Sequence, residues 1–207
     1  MVSFFAARIS QGEQMKRLFL FLILNCFLVS SCATDYPFCV ITFYGARVTY
    51  GEGKHPGLDF GIKTGTPIIA ASDGLVILIT EPNYTELWRG GISVFILHGK
   101  HFKTFYAHMT KVFAEKGNPI KRGQLIGLSG ASNDGSPHLH FGICSIAPNS
   151  CINYSKTFDP EEFWLGGKAQ CFDPNKDYSG YSQKDLTLPI ACGEYAKELV
   201  TRTQRKD

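Results

Sequence analysis

The 207-residue chain has no histidine in its first 54 or last 67 residues, no cysteine pair at CxxC spacing, no run of like charges and no internal repeat. Each absence excludes something. Without CxxC spacing, a structural zinc site built from cysteines is disfavoured. With 21 basic against 18 acidic residues, a formal net charge of +3 and no basic cluster, the sequence does not read as a nucleic-acid binder. The absence of low-complexity segments, with 44% hydrophobic and 13% aromatic residues, excludes global disorder and supplies a packed core. The length suits one domain, or a domain plus an appendage. The longest nearly unbroken apolar stretch, Leu18 to Val29, is too short to cross a bilayer core of ~30 Å as a helix rising ~1.5 Å per residue.

That stretch fits a secretory signal, with Lys16 and Arg17 ahead of it and the small Ser30 and Ser31 behind. Val29-Ser30-Ser31-Cys32 resembles a bacterial lipobox. The resemblance implies that Cys32 is acylated and becomes the new N-terminus, and Ala33 after it implies the outer membrane of a diderm bacterium. Acyl chains at ~0.8 kcal/mol per buried CH2 would hold such a protein on the membrane. Residues 1–14 stand awkwardly before this signal, so translation is expected to begin at Met15. Of the seven cysteines, Cys26 then leaves with the leader and Cys32 takes the lipid. The expected arrangement of the rest is Cys144 with Cys151, Cys171 with Cys192, and Cys39 as a free thiol.

From Cys39 to Cys144 short apolar runs alternate with turn residues, and no segment is long enough for a βαβ crossover. Strands are expected over Val40–Val48, Leu58–Ile62, Ile68–Ala71, Leu75–Thr80, Ile92–His98, Phe102–His108, Gln124–Ser129 and His138–Cys144. Ser72-Asp73-Gly74 and Gly99-Lys100 read as hairpin turns joining their flanking strands. The polar loop Glu81 to Gly91, with Trp88, is expected to overhang one face. The fold class is therefore all-β and antiparallel. Beyond Asn149 the composition shifts to an irregular, disulfide-tied extension, with a short terminal helix over Gly193–Arg205.

All six histidines fall between His55 and His140, and they concentrate the chemistry. In HPGLD, a helix is improbable across Pro56-Gly57, and an extended strand would hold His55 and Asp59 about 13 Å apart. The chain must bend there, bringing His55 back toward Asp59. In PHLHFG, residues two apart on a strand share a face, so His138 and His140 stand side by side while Leu139 and Phe141 enter the core. His55, Asp59 and His140 form a ligand set suited to one Zn2+ with a position open to water. Such a site activates water and polarises a carbonyl. His108 and His138 are left to carry protons, work for groups titrating near neutrality. His98 and His101 flank a hairpin turn and read as bystanders. Tyr50 is either a hydrogen-bond donor to an oxyanion or a structural aromatic.

With these motifs, and with GTPIIAASDGLV (Gly65 to Val76), VFILHG (Val94 to Gly99) and KRGQLIGLSG (Lys121 to Gly130), the chain resembles the lysostaphin-like M23 zinc metallopeptidases, or LytM domains. The resemblance implies an antiparallel β-sheet groove, zinc on His55, Asp59 and His140, catalytic roles for His108 and His138, and hydrolysis of peptide bonds in bacterial peptidoglycan. The expected layout is a leader at 1–31, a lipidated linker at 32–37, the peptidase domain at 38–146 and an extension at 147–207. The expected partners are peptidoglycan stem peptides and cross-bridges, and a membrane through the lipid on Cys32. Nothing in the sequence sets an oligomeric state. An alternative from another class is an inactive LytM module that binds peptidoglycan and activates a cell-wall amidase, but such modules usually lack some of the five residues. A cupin-like metal protein is disfavoured because no glutamate follows the HxH at the spacing that fold needs. The chain departs from the TG-P-HLHFE pattern at Ser136 and Gly142, which bears on how the histidines are supported.

Overall fold

Leu139, Phe141 and Ile143 are fully buried in the main core, while His138, His140 and Gly142 alternate with them on the opposite face. That one strand shows how the molecule places its chemistry. The computed structural model describes residues 38–49, 53–82, 90–152 and 154–204. The leader, Cys32, Tyr50 and the Trp88 part of its loop lie outside the described residues. The strands are β1 (Cys39–Thr42), β2 (Leu58–Gly61), β3 (Pro67–Ile69), β4 (Gly74–Ile79), β5 (Ile92–His98), β6 (Phe102–Val112), β7 (Pro119–Ile120), β8 (Leu125–Ala131), β9 (Pro137–Cys144) and β10 (Thr157–Phe158). A single α-helix among the described residues, α1, spans Gly193–Gln204.

The strands form an antiparallel sheet in the order β1-β2-β9-β8-β6-β5-β4-β7, with β10 added to β9 and β3 to β8. On the side away from β5, β6 has two successive partners. Lys103–Ala107 pairs with β9, and Met109–Val112 pairs with β8. His108 stands at the fork with φ of 63°, in the left-handed region that strand residues avoid.

Three expectations need correction. The first strand ends at Thr42 rather than Val48, because the chain turns at Tyr44-Gly45 and Gly45 N–H donates back to the His55 carbonyl. Ser72-Asp73-Gly74 bends the chain without making a hairpin: β3 pairs with β8, and β4 pairs with β5 and β7. The turn is tied elsewhere, since the Asp73 carboxylate accepts from Arg122 N–H at 2.8 Å and from Lys121 Nζ at 2.9 Å. Finally, Cys39 is disulfide-bonded and not a free thiol; its partner lies outside the described residues. The pairs Cys144–Cys151 and Cys171–Cys192 form as expected, and β5–β6 is the expected hairpin.

The C-terminal extension belongs to the core. Leu186, Leu188 and Ile190 alternate into it, and Trp164 stacks on Phe141 with ring centroids 5.9 Å apart. Burying side chains of this size contributes ~1.5–3 kcal/mol each, so the extension helps hold β9, the strand that carries both histidines.

Candidate metal centre

Sheet register brings the first pair of residues together. Asp59 on β2 lies directly across from His140 on β9, whose other neighbour on β6 is Ala107. His55 arrives through the bend at Pro56-Gly57. There Gly57 approaches β9 so closely that a Cβ would fall 2.3 Å from the Phe141 carbonyl oxygen, so only glycine fits. The backbone then locks His55 in place. Its N–H donates to the Ala46 carbonyl at 2.9 Å, its carbonyl accepts from Gly45 at 2.9 Å, and its Nδ1–H donates to the Phe43 carbonyl at 3.1 Å.

With the proton on Nδ1, His55 presents a lone pair at Nε2. That atom lies 3.0 Å from Asp59 Oδ1 and 3.0 Å from His140 Nδ1, and His140 Nδ1 is 2.8 Å from the same Oδ1. The side chains are buried, and these three residues form the one group among the described residues able to hold a metal ion. The triangle fits zinc: ligands about 2.0 Å from a tetrahedral ion lie roughly 3.3 Å from one another. Burial alone would raise the Asp59 pKa, but the His140 and His55 imidazoles set against it outweigh burial and hold the carboxyl well below the usual range. Burial pushes the His140 pKa down, which keeps the imidazole in its ligating, neutral form.

The two remaining histidines adjoin this centre. His138 Nδ1–H donates to the Ser136 carbonyl at 2.9 Å, and its Nε2 lies 3.8 Å from Asp59 Oδ1. His108 Nδ1–H donates to the Gly90 carbonyl at 2.9 Å, and its ring lies 4.5 Å from that of His138. In both, the Nδ1 bond leaves Nε2 as the basic nitrogen. Burial pushes the His108 pKa down to about 4, with neighbouring His140 adding to the effect. His108 is therefore neutral at neutral pH. The fork in β6 is what turns it toward His138 and away from an ordinary strand direction.

All five sequence-predicted residues thus converge, whereas His98 and His101 stand apart from them. His98 is fully buried between the Asp73 carbonyl and Thr104, and His101 is exposed in the β5–β6 turn. Sequence reasoning missed the carbonyls of Phe43, Gly90 and Ser136 that fix the three Nδ1 protons. No residue type signals a carbonyl, since every residue has one.

Residues 53–153 match Peptidase family M23. Within that segment the chain carries an M23 peptidase domain. Over 99 residues it is 39% identical to the peptidoglycan DD-endopeptidase ShyA of Vibrio cholerae, covering 46% of this chain and 21% of that protein. Over 92 residues it is 37% identical to the glycyl-glycine endopeptidase ALE-1 of Staphylococcus capitis, covering 43% and 24%. The chain thus spans about a fifth to a quarter of the length of these curated relatives. Among solved structures, the catalytic domain of lysostaphin from Staphylococcus simulans aligns with a TM-score of 0.54 at 28% identity, covering 64% of this chain and 96% of that one. The M23 match ends at 153, yet the core continues through Trp164 and Ile190.

Proposed function

We propose that the protein is a zinc-dependent peptidoglycan endopeptidase that hydrolyses peptide cross-bridges of the bacterial cell wall. The observation that carries this reading is the convergence of His55, Asp59 and His140 on one point, with His108 and His138 beside it. Zinc bound by those three residues would lower the pKa of a water and polarise the scissile carbonyl. The chain's own residues handle protons and orientation. His108, neutral and with Nε2 basic, takes a proton at that atom. His138, held by Ser136, 3.8 Å from Asp59 and 4.5 Å ring to ring from His108, receives that proton at its own basic Nε2 and then stabilises the tetrahedral oxygen and returns the proton to the leaving amine. The relatives support the substrate class, and their differing specificities leave the cleaved bond to the assay.

The amidase-activator alternative predicts a site that lacks some of these groups. The presence of all five favours the enzyme. The test is incubation of the protein with purified sacculi and mass spectrometry of the muropeptides, with His140→Ala and a chelated sample as controls. Loss of cross-linked dimers in the zinc-loaded protein alone is the expected result. Unchanged dimers, with stimulation of an added amidase, would overturn it.

We also propose that the leader directs the protein to the cell envelope and that a lipid on Cys32 anchors it to the outer membrane, facing the periplasm. A lipidated sulfur cannot also form a disulfide, and Cys26 leaves with the leader, so the proposed anchor requires that processing open the disulfide that Cys39 carries in the full chain. Intact-mass and peptide mapping of the membrane-extracted protein therefore decides the matter: an acylated N-terminal cysteine supports the anchor, and a Cys32–Cys39 peptide refutes it.

A further inference from the structure

Phe105 and Gly142 face each other across β6 and β9. A Cβ at position 142 would lie 2.2 Å from Phe105 Cζ and 2.5 Å from Cε1, so the phenyl ring fills the room any side chain at 142 would need. The same ring is fully buried and stacks on the His140 imidazole, with centroids 5.3 Å apart and planes inclined by 25°. It also stacks on Phe95 at 5.9 Å and 26°, which braces it. An aromatic side chain opposite a strand glycine restores packing that the glycine forfeits. Here the restored packing falls on a proposed zinc ligand.

We propose that Phe105 is the positioning residue for His140: seated over Gly142, it holds the imidazole plane so that Nδ1 stays turned toward Asp59 and His55. The proposal rests on the metal-centre reading above. His140 needs such a wall because its direct neighbour on β6, Ala107, offers only a methyl group. The departure from HLHFE at Gly142 then has a physical reason. A ring at 105 and a side chain at 142 exclude each other, and this chain has taken the ring.

The experiment is a double-mutant cycle with two readouts: zinc affinity by chelator competition, and the tautomer pattern of the His140 ring nitrogens by 15N spectroscopy of the metal-free protein near neutral pH. Phe105→Ala is expected to weaken zinc binding by about 10-fold or more, as removal of an outer support does, and to mix the His140 tautomers. Phe105→Leu, which keeps an apolar wall, is expected to recover most of both. Gly142→Ala is expected to cost about 10-fold in the wild-type background and under about 2-fold once Phe105 is Ala, because the clash has gone. Unaltered zinc affinity and tautomer pattern in Phe105→Ala, or an equal cost of Gly142→Ala in both backgrounds, would overturn the proposal. Urea unfolding of each variant separates misfolding from mispositioning, with Phe105→Leu as the milder probe. If the wild type takes up no zinc, the metal-centre reading fails, while the His140 tautomer in the metal-free variants still decides whether Phe105 positions that ring.

Discussion

Protonation of His98 is expected to destabilise the fold by an amount that can be worked out. The residue ends β5, fully buried, with Nδ1–H donating to the Asp73 carbonyl at 2.7 Å and Nε2 lying 2.8 Å from Thr104 Oγ1. Burial is the main cause that pushes its pKa from 6.5 to about 4; Arg122 acts in the same direction, and the hydrogen bond to Asp73 opposes it. The unfolded chain therefore binds the proton more readily than the folded one. Stability is fully present above the unfolded pKa of about 6.5 and is lost as pH falls toward the folded value of about 4. Each pH unit in that window is worth ~1.4 kcal/mol, so the loss between about pH 7 and about pH 4.5 is roughly 2.5 kcal/mol. Against a total stability of ~5–15 kcal/mol, that is a large fraction. The assay is urea unfolding at both pH values, with chelator present, for the wild type and His98→Asn. The variant starts less stable, because it leaves Thr104 or Asp73 poorly matched, but its stability falls by about 2.5 kcal/mol less on acidification. His108 titrates identically in both proteins and cancels in the comparison. Equal pH dependence in the two proteins would refute the reasoning.

Four further outcomes are expected. Zinc held at about 100 times its Kd stabilises the fold by about 2.7 kcal/mol, so chelation lowers the thermal midpoint of the wild type and leaves that of His55→Ala unchanged. His138→Ala is expected to lose about 10²- to 10⁴-fold in kcat while retaining zinc by elemental analysis; a variant without zinc contradicts the division of labour between His138 and His140. At the left-handed position 108, strain costs ~1–3 kcal/mol for a residue with a Cβ. His108→Gly is therefore expected to unfold at higher urea than His108→Ala, with both inactive on sacculi. Removing the Cys171–Cys192 bridge, whose partners are 21 residues apart, by paired serine substitution is expected to cost about 3 kcal/mol on the loop-closure estimate, measured by denaturant unfolding.

The parts of the site that were legible in the sequence are those fixed by local geometry. Two residues apart on a strand share a face, so HLH declares the pairing of His138 and His140 before any partner strand is known. Proline and glycine inside HPGLD forbid both regular structures, so the chain must bend, and the bend returns His55 to Asp59. What could not be read depends on which strand pairs with which. Ser72-Asp73-Gly74 reads locally as a hairpin turn, but its carboxylate is held by Arg122 and Lys121, about fifty residues onward, and β3 and β4 part company there. The same holds at His108. Nothing in YAHM marks a left-handed residue in mid-strand, and local preference argues against one. It exists because β6 pairs first with β9 and then with β8, two commitments that no single extended strand can satisfy without a break. Long-range pairing fixes the residue there, and the break delivers the imidazole to His138, the second residue of β9. A local rule is broken at the point where the chemistry is placed, and the cost is carried by the pairing on either side.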